Sequence, residues 1–173
     1  TKANLFGLKA NIIITIISIM KKLILSLALV LVGTICNAQN SAFEAFAKHF
    51  GKTTAFAYAD ICGHQVMLVS HEVFGADESE GLEAIAASIF ALDSDGKIIS
   101  LGSIRSQGTN YPVSVSDGKL MVAGHRFVSV YGIRADEEPD LEIVGHEEGD
   151  YDSPKLKAMF ETFEKAQPVK FKR

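Results

Sequence analysis

A thiol and an imidazole lie two positions apart in this chain, at Cys62 and His64, on either side of Gly63. A base beside a thiol lowers the thiol pKa and favours the thiolate, which is both a nucleophile and a ligand for soft metals. The sequence supplies no third group that would orient the pair, and two ligands make only half of a zinc site. The pattern is therefore more typical of a partly buried cysteine in a tight turn.

An acidic segment, residues 136–152, contains nine carboxylates and one imidazole. Carboxylates at this density can bind divalent cations or present a negative face to a basic partner. The segment lacks the D-x-D-x-D-G spacing of a calcium loop, so a solvated hairpin tip and linker is the alternative interpretation. No cofactor is predicted, and calcium is kept only as an alternative. The metal-binding candidates are Asp60, Asp136, Glu138, Asp140, His146, Glu148 and Asp150.

Other reactive residues fall outside known catalytic patterns. His71 and Glu72 are adjacent, but no H-E-x-x-H zinc pattern follows them. The chain also has no G-x-S-x-G, P-loop or dinucleotide-binding motif. An enzyme site would therefore have to assemble from distant residues, with His71, His125 or His146 meeting nearby acids in one cleft.

The elements that would position these residues are mostly hairpins. The turns Asp95-Gly96 and Asp117-Gly118 lie within two segments that align without a gap, 22 residues apart. Glycine there supplies the positive φ that a tight hairpin turn needs. A third hairpin is predicted from Phe127 to Gly145, and an earlier one from Phe56 to Ser70 turns at Cys62-Gly63. Four hairpins predict an antiparallel β-meander of about eight strands.

Two amphipathic helices are predicted to flank this sheet. Ser41 and Glu44 have the spacing of a capping box before an N-terminal helix with a phenylalanine-rich stripe. A C-terminal helix is predicted after Asp152 or Ser153, with Pro154 in its first turn. Its expected buried face is Leu156, Met159, Phe160 and Phe163. The predicted fold class is mainly β (α+β), with a curved or barrel-like sheet between the two helices.

The segment Tyr58-Ala-Asp60-Ile-Cys62-Gly63-His64 and the apolar strand after it resemble FG-GAP and VCBS-like repeats. In those repeats an aromatic strand leads into a D-x-D-G-type loop, and similar segments occur in small exported bacterial proteins. Asp60 and Gly63 match the loop, whereas Cys62 and His64 stand where it has acidic ligands. The resemblance implies the strand-loop-strand architecture over most of residues 54–133, and it implies no enzyme activity.

The N-terminal region has the pattern of a bacterial export signal. Met20-Lys21-Lys22 is followed by an apolar run to Ile35 and by small residues at Cys36 and Ala38. This order of charged, apolar and small residues predicts a signal peptide over 20–38. The apolar run is too short to span a bilayer as a helix. We interpret 1–19 as translated upstream sequence and 40–173 as one globular domain.

The predicted exported domain, residues 40–173, is acidic. It carries 13 lysines and arginines against 21 aspartates and glutamates, a formal net charge of −8. That charge disfavours a nucleic-acid partner, and no membrane span is expected in the mature chain. We expect a non-enzymatic periplasmic or secreted domain that binds a protein or a small apolar ligand. The alternatives are a small metal-dependent or hydrolase-like enzyme and a divalent-cation-binding envelope protein.

Overall fold

The structure of the protein, a computed structural model, describes residues 41–75, 77–135 and 138–173. The predicted leader 1–19 and signal peptide 20–38 lie outside the described residues, as do Asp136 and Glu137. Among the residues that are described, no helix is long and apolar enough to cross a membrane. Ala42–Arg173 form one compact unit.

Antiparallel strands make up about half of this unit, which confirms the mainly β prediction. The helices are α1 (41–47) and α2 (Pro154–Lys165). The strands are β1 (Ala55–Ile61), β2 (His64–Ser70), β3 (Val73–Phe74), β4 (Glu83–Ala84), β5 (Ala86–Leu92), β6 (Ile98–Arg105), β7 (Ser114–Ser116), β8 (Lys119–Gly124), β9 (Phe127–Ala135), β10 (Pro139–Glu148) and β11 (Gln167–Pro168). The larger sheets have the strand orders β1-β2-β5-β6 and β10-β9-β8-β7-β11, and β3 pairs with β4.

The expected single curved or barrel-like meander is replaced by two open sheets. The chain leaves the first sheet after β6 and enters the second at β7, so these two consecutive strands do not pair. The connection between them makes its own turn, in which Tyr111 donates its backbone N–H to Gly108. It also bonds across to the second sheet, because the N–H of Gln107 donates to Ala123. These bonds satisfy the backbone without continuing the meander.

A hydrophobic core lies between the two larger sheets. Alternate residues of a strand point to opposite faces of its sheet, so every second residue of a strand can enter this core. Val66 and Leu68 of the first sheet share this core with Leu120 and Val122 of the second, and all four are buried. The residues between them, Met67 and Met121, point to the opposite faces of their sheets, away from this core. Met67 packs with Phe43, Phe46 and Phe50 from the α1 region, and Met121 packs with Leu156 and Phe163 of α2.

The predicted turns at Cys62-Gly63 and Asp117-Gly118 and the predicted start of the C-terminal helix are confirmed. Cys62 and Gly63 form the two-residue turn between β1 and β2 with φ of 54° and 84°, and Asp117 and Gly118 join β7 to β8 with φ of 49° and 66°. Positive φ at both central residues is the geometry of a type I′ hairpin turn. The Ser153 side chain accepts the backbone N–H of Leu156 and caps α2.

The C-terminal tail, which the sequence analysis did not assign to the fold, closes one side of the two sheets. β11 pairs with β7 of the second sheet, and Lys172 then exchanges two backbone hydrogen bonds with Phe56 of the first. Between these points Phe171 is fully buried and exchanges backbone hydrogen bonds with Leu82. On the opposite side, β6 and β10 are the outermost strands of their sheets.

Candidate functional site

The edge strand β10 presents the exposed apolar residues that define the candidate site. Its neighbour in the second sheet is β9, and the register between them shifts between Ile143 and Gly145, as in a β-bulge. At this bulge the Ile143 side chain is 61% exposed and Val144 is 46% exposed. Large exposed apolar side chains at a sheet edge are a feature of protein-interaction surfaces, because the edge also offers main-chain donors and acceptors. We call Pro139–Glu148, with these two side chains, the β10 edge.

A shallow apolar groove adjoins the β10 edge on the side of α2. Its volume is about 280 Å³, and Met121, Val130, Val144 and Met159 are among the residues that line it. Gly145 is one of its lining residues, and a Cβ at that position would make ordinary contacts with Val130 at 3.6 Å and with the Met159 methyl group at 3.8 Å. The groove can therefore accept one or two apolar side chains beside the strand.

The predicted metal candidates are spread along this region and not gathered at one point. Asp140 lies 3.4 Å from Arg134, and Asp150 pairs with Arg126. Asp60 lies on β1 of the first sheet and accepts the backbone N–H of Gly63 at 2.8 Å. The carboxylates thus have different polar partners. Over the described ranges, no three His, Cys, Asp or Glu side chains form a group that could hold a metal ion.

His146, Glu148 and Glu138 lie on or beside β10. His146 Nε2 is 3.8 Å from a Glu148 carboxylate oxygen. Glu138 lines an open cavity of about 950 Å³ together with Arg134, Pro139 and residues of the β5–β6 hairpin. The other acidic candidate of the segment, Asp136, falls outside the described residues.

Ser129 adds a hydroxyl to the His146–Glu148 pair, and the sequence analysis did not identify it. Ser129 and His146 are cross-strand partners on β9 and β10, and Ser129 Oγ lies 2.8 Å from His146 Nδ1. A serine, a histidine and a carboxylate occur in this order in serine hydrolases, but there Nε2 faces the serine and Nδ1 the carboxylate, the reverse of the arrangement here. Ser129 is also only 5% exposed. The signal that relates the two residues is their register, which a single sequence does not reveal.

The remaining candidates, Cys62 and two histidines, occupy separate places. The thiol of Cys62 donates to the carbonyl oxygen of Gly118 at 3.6 Å. His71 Nδ1 lies 3.2 Å from the Thr54 hydroxyl, and the His125 ring packs edge-on against Tyr111. His125 and Glu148 both line an open cavity of about 730 Å³.

Glu72, beside His71, makes a bidentate ion pair with Arg105 across the first sheet. The hydrogen bonds and positive charge of Arg105 hold the pKa of Glu72 below its usual value. The same bonds raise the pKa of Arg105. The pair therefore stays charged at neutral pH and links the loop after β2 to the end of β6.

Comparisons with known proteins give this chain no relatives: no protein family matches it, and no match was found among curated proteins or solved structures.

Proposed function

We propose that this protein is an exported, non-enzymatic domain that binds another protein through the β10 edge. The observation that carries the proposal is the exposure of Ile143 and Val144 on an outermost strand beside an apolar groove. An edge strand offers main-chain hydrogen bonds to an added strand, and pockets beside it supply selectivity. The export part of the proposal rests on the signal-peptide pattern of residues 20–38.

Binding to a protein is favoured over binding to a small apolar ligand in the sheet interior. The core between the sheets is filled by buried aliphatic and aromatic side chains such as Leu68, Ile89 and Phe171. The groove beside β10, about 280 Å³ in volume, lies at the lower limit of typical ligand pockets, which begin at about 300 Å³. A shallow groove of this size suits a side chain of a docked polypeptide better than a separate ligand.

The proposal is tested by photocrosslinking in cells that express the full chain. A benzoylphenylalanine placed at Ile143 should give one discrete crosslinked product in the envelope fraction. The matched control places the same group at Tyr58, which is 44% exposed but lies on β1. A crosslink at 143 that is absent at 58 and is lost in Val144→Asp supports docking at the β10 edge. Equal labelling at both positions, or none at 143, contradicts it.

A hydrolase-like activity is the second candidate, because Ser129, His146 and Glu148 lie in hydroxyl–imidazole–carboxylate order. The low exposure of Ser129 makes it a poor nucleophile for an incoming substrate, so binding remains the preferred function. A fluorophosphonate probe distinguishes the two. Labelling of the native protein that disappears in Ser129→Ala supports an enzyme, and we expect no labelling.

A further inference from the structure

We infer that the segment that docks on the β10 edge is an extended, basic strand of another protein. The inference rests on the proposed function and adds the chemistry of the partner. It follows from three properties of the edge: its charge, its outermost position among the described strands of the sheet and its unsuitability for a second copy of itself.

The charge of the β10 edge is negative. Its ten residues include four carboxylates and neither lysine nor arginine. Asp140 and Glu142 both lie near one guanidinium, that of Arg134, at 3.4 and 3.9 Å. Glu147 lies 3.9 Å from Lys155 of α2, and Glu148 lies 3.8 Å from His146 with its side chain 72% exposed. Four carboxylates against the two basic side chains leave a net negative charge that lysine or arginine side chains of a partner would complement.

The position of β10 in the sheet makes an extended strand the fitting shape. The β7 side of the second sheet is covered by the C-terminal tail through β11, whereas β10 is the outermost strand on the other side. A strand added at an edge forms main-chain hydrogen bonds and presents every second side chain to one face. Basic residues at alternate positions would therefore meet the carboxylates, with apolar residues between them covering Ile143 and Val144.

The same features disfavour a second copy of this chain as the occupant. Two β10 edges paired with each other would bring carboxylates against carboxylates, and like charges directly opposite each other destabilise a strand pair. The bulge between Ile143 and Gly145 also interrupts regular pairing, a device that limits the association of identical edges. A basic strand from another protein would be attracted by the carboxylates and not repelled, and it can adjust its register to the bulge.

The inference is tested with synthetic peptides of about nine residues, a usual strand length. In one peptide lysine alternates with valine or threonine, and in its matched partner glutamate replaces lysine. At low salt, where screening is weak, we expect the lysine peptide to bind the purified protein about tenfold more tightly than the glutamate peptide does. Raising the salt from about 50 mM to about 300 mM should weaken its binding several-fold. A lysine peptide methylated on alternate main-chain nitrogens should lose binding, because it cannot donate to the edge.

The same charge substitution at two places locates the site. Glu148→Lys should weaken binding of the lysine peptide about threefold to tenfold, since it replaces attraction with repulsion. Glu80→Lys makes the same change in the exposed β3–β4 connection, beside the C-terminal tail on the side opposite β10, and should leave binding unchanged. Circular dichroism and unfolding midpoints confirm that both exposed substitutions leave the fold intact.

Other outcomes would contradict the basic partner, the docking site or the choice of occupant. If the glutamate peptide binds as well as the lysine peptide and the crosslink at position 143 persists, docking stands but the basic partner is wrong. If neither peptide binds and position 143 gives no crosslink, both proposals fail. If the protein alone forms a dimer by light scattering that Ile143→Lys dissociates, the occupant is a second copy.

Discussion

The backbone N–H of Cys62 donates to the carbonyl oxygen of Gly118 at 2.8 Å, which joins the tips of two hairpins that belong to different sheets. The Cys62 thiol approaches the same oxygen at 3.6 Å. Gly132 lies beside this contact, since a Cβ at that position would be 3.5 Å from the thiol sulfur. The residue that looked most reactive in the sequence thus has a structural role in the contact between sheets.

Replacing Cys62 with asparagine should stabilise the protein. Cys62 has a φ of 54°, and Asn-Gly is the preferred dipeptide for a type I′ turn because asparagine tolerates positive φ. We expect the free energy of unfolding to rise by about 0.5 kcal/mol. Cys62→Val should lower it by about 1–3 kcal/mol, since a β-branched side chain is strained there. Urea unfolding of the two variants measures the difference, and equal midpoints would contradict the strain argument.

Removing the Phe171 ring should destabilise the whole unit. The ring is fully buried in the core shared by the two sheets, so Phe171→Ala should cost about 3–5 kcal/mol. Lys172→Ala is the control, because Lys172 is exposed and its contacts with Phe56 are made by the backbone. That variant should change stability by less than about 0.5 kcal/mol. A small effect of Phe171→Ala would show that the tail does not hold the sheets together.

The Glu72–Arg105 ion pair should make stability depend on pH in the acid range. The pKa of Glu72 is lowered in the folded state, so the ionised carboxylate contributes to stability above the ordinary glutamate pKa of about 4.3. This contribution to stability is lost as the pH falls through the pKa that Glu72 has in the folded state. Glu72→Gln should therefore be less stable than the native protein at neutral pH, and the difference should shrink on acidification. Unfolding curves from neutral to acid pH check this; a constant difference would be inconsistent with the pair.

Calcium should leave the melting temperature unchanged. Asp140, Asp150 and Glu148 each lie beside a different basic side chain, and the described residues contain no metal-binding group of three. A cation that binds only the folded state raises the free energy of unfolding by RT ln(1 + [L]/Kd), where [L] is the free cation concentration, and so raises the melting temperature. Thermal unfolding with millimolar calcium and with magnesium as the control tests this. A rise of several degrees with calcium alone would instead favour the cation-binding alternative.

Much of the local structure was predictable because it depends on neighbouring residues. The turn at Asp117-Gly118 follows from the need for positive φ, and the start of α2 follows from the Ser153 cap with Pro154 behind it. The tail was missed for the opposite reason. Val169 and Phe171 alternate with lysines over too few residues to signal a strand, and their burial depends on distant partners such as Leu82.

The hairpins, the cap of α2 and the acidic character of the chain follow from residue type and short-range spacing. The division of the strands into two sheets, with the tail covering β7 and β10 outermost, depends on long-range packing that the spacing of residues does not reveal. The same holds for the contact of Ser129 with His146 and for the exposure of Ile143. Strand order and register are set by the packing of residues far apart in the chain, and hydrophobic burial has no preferred sequence separation.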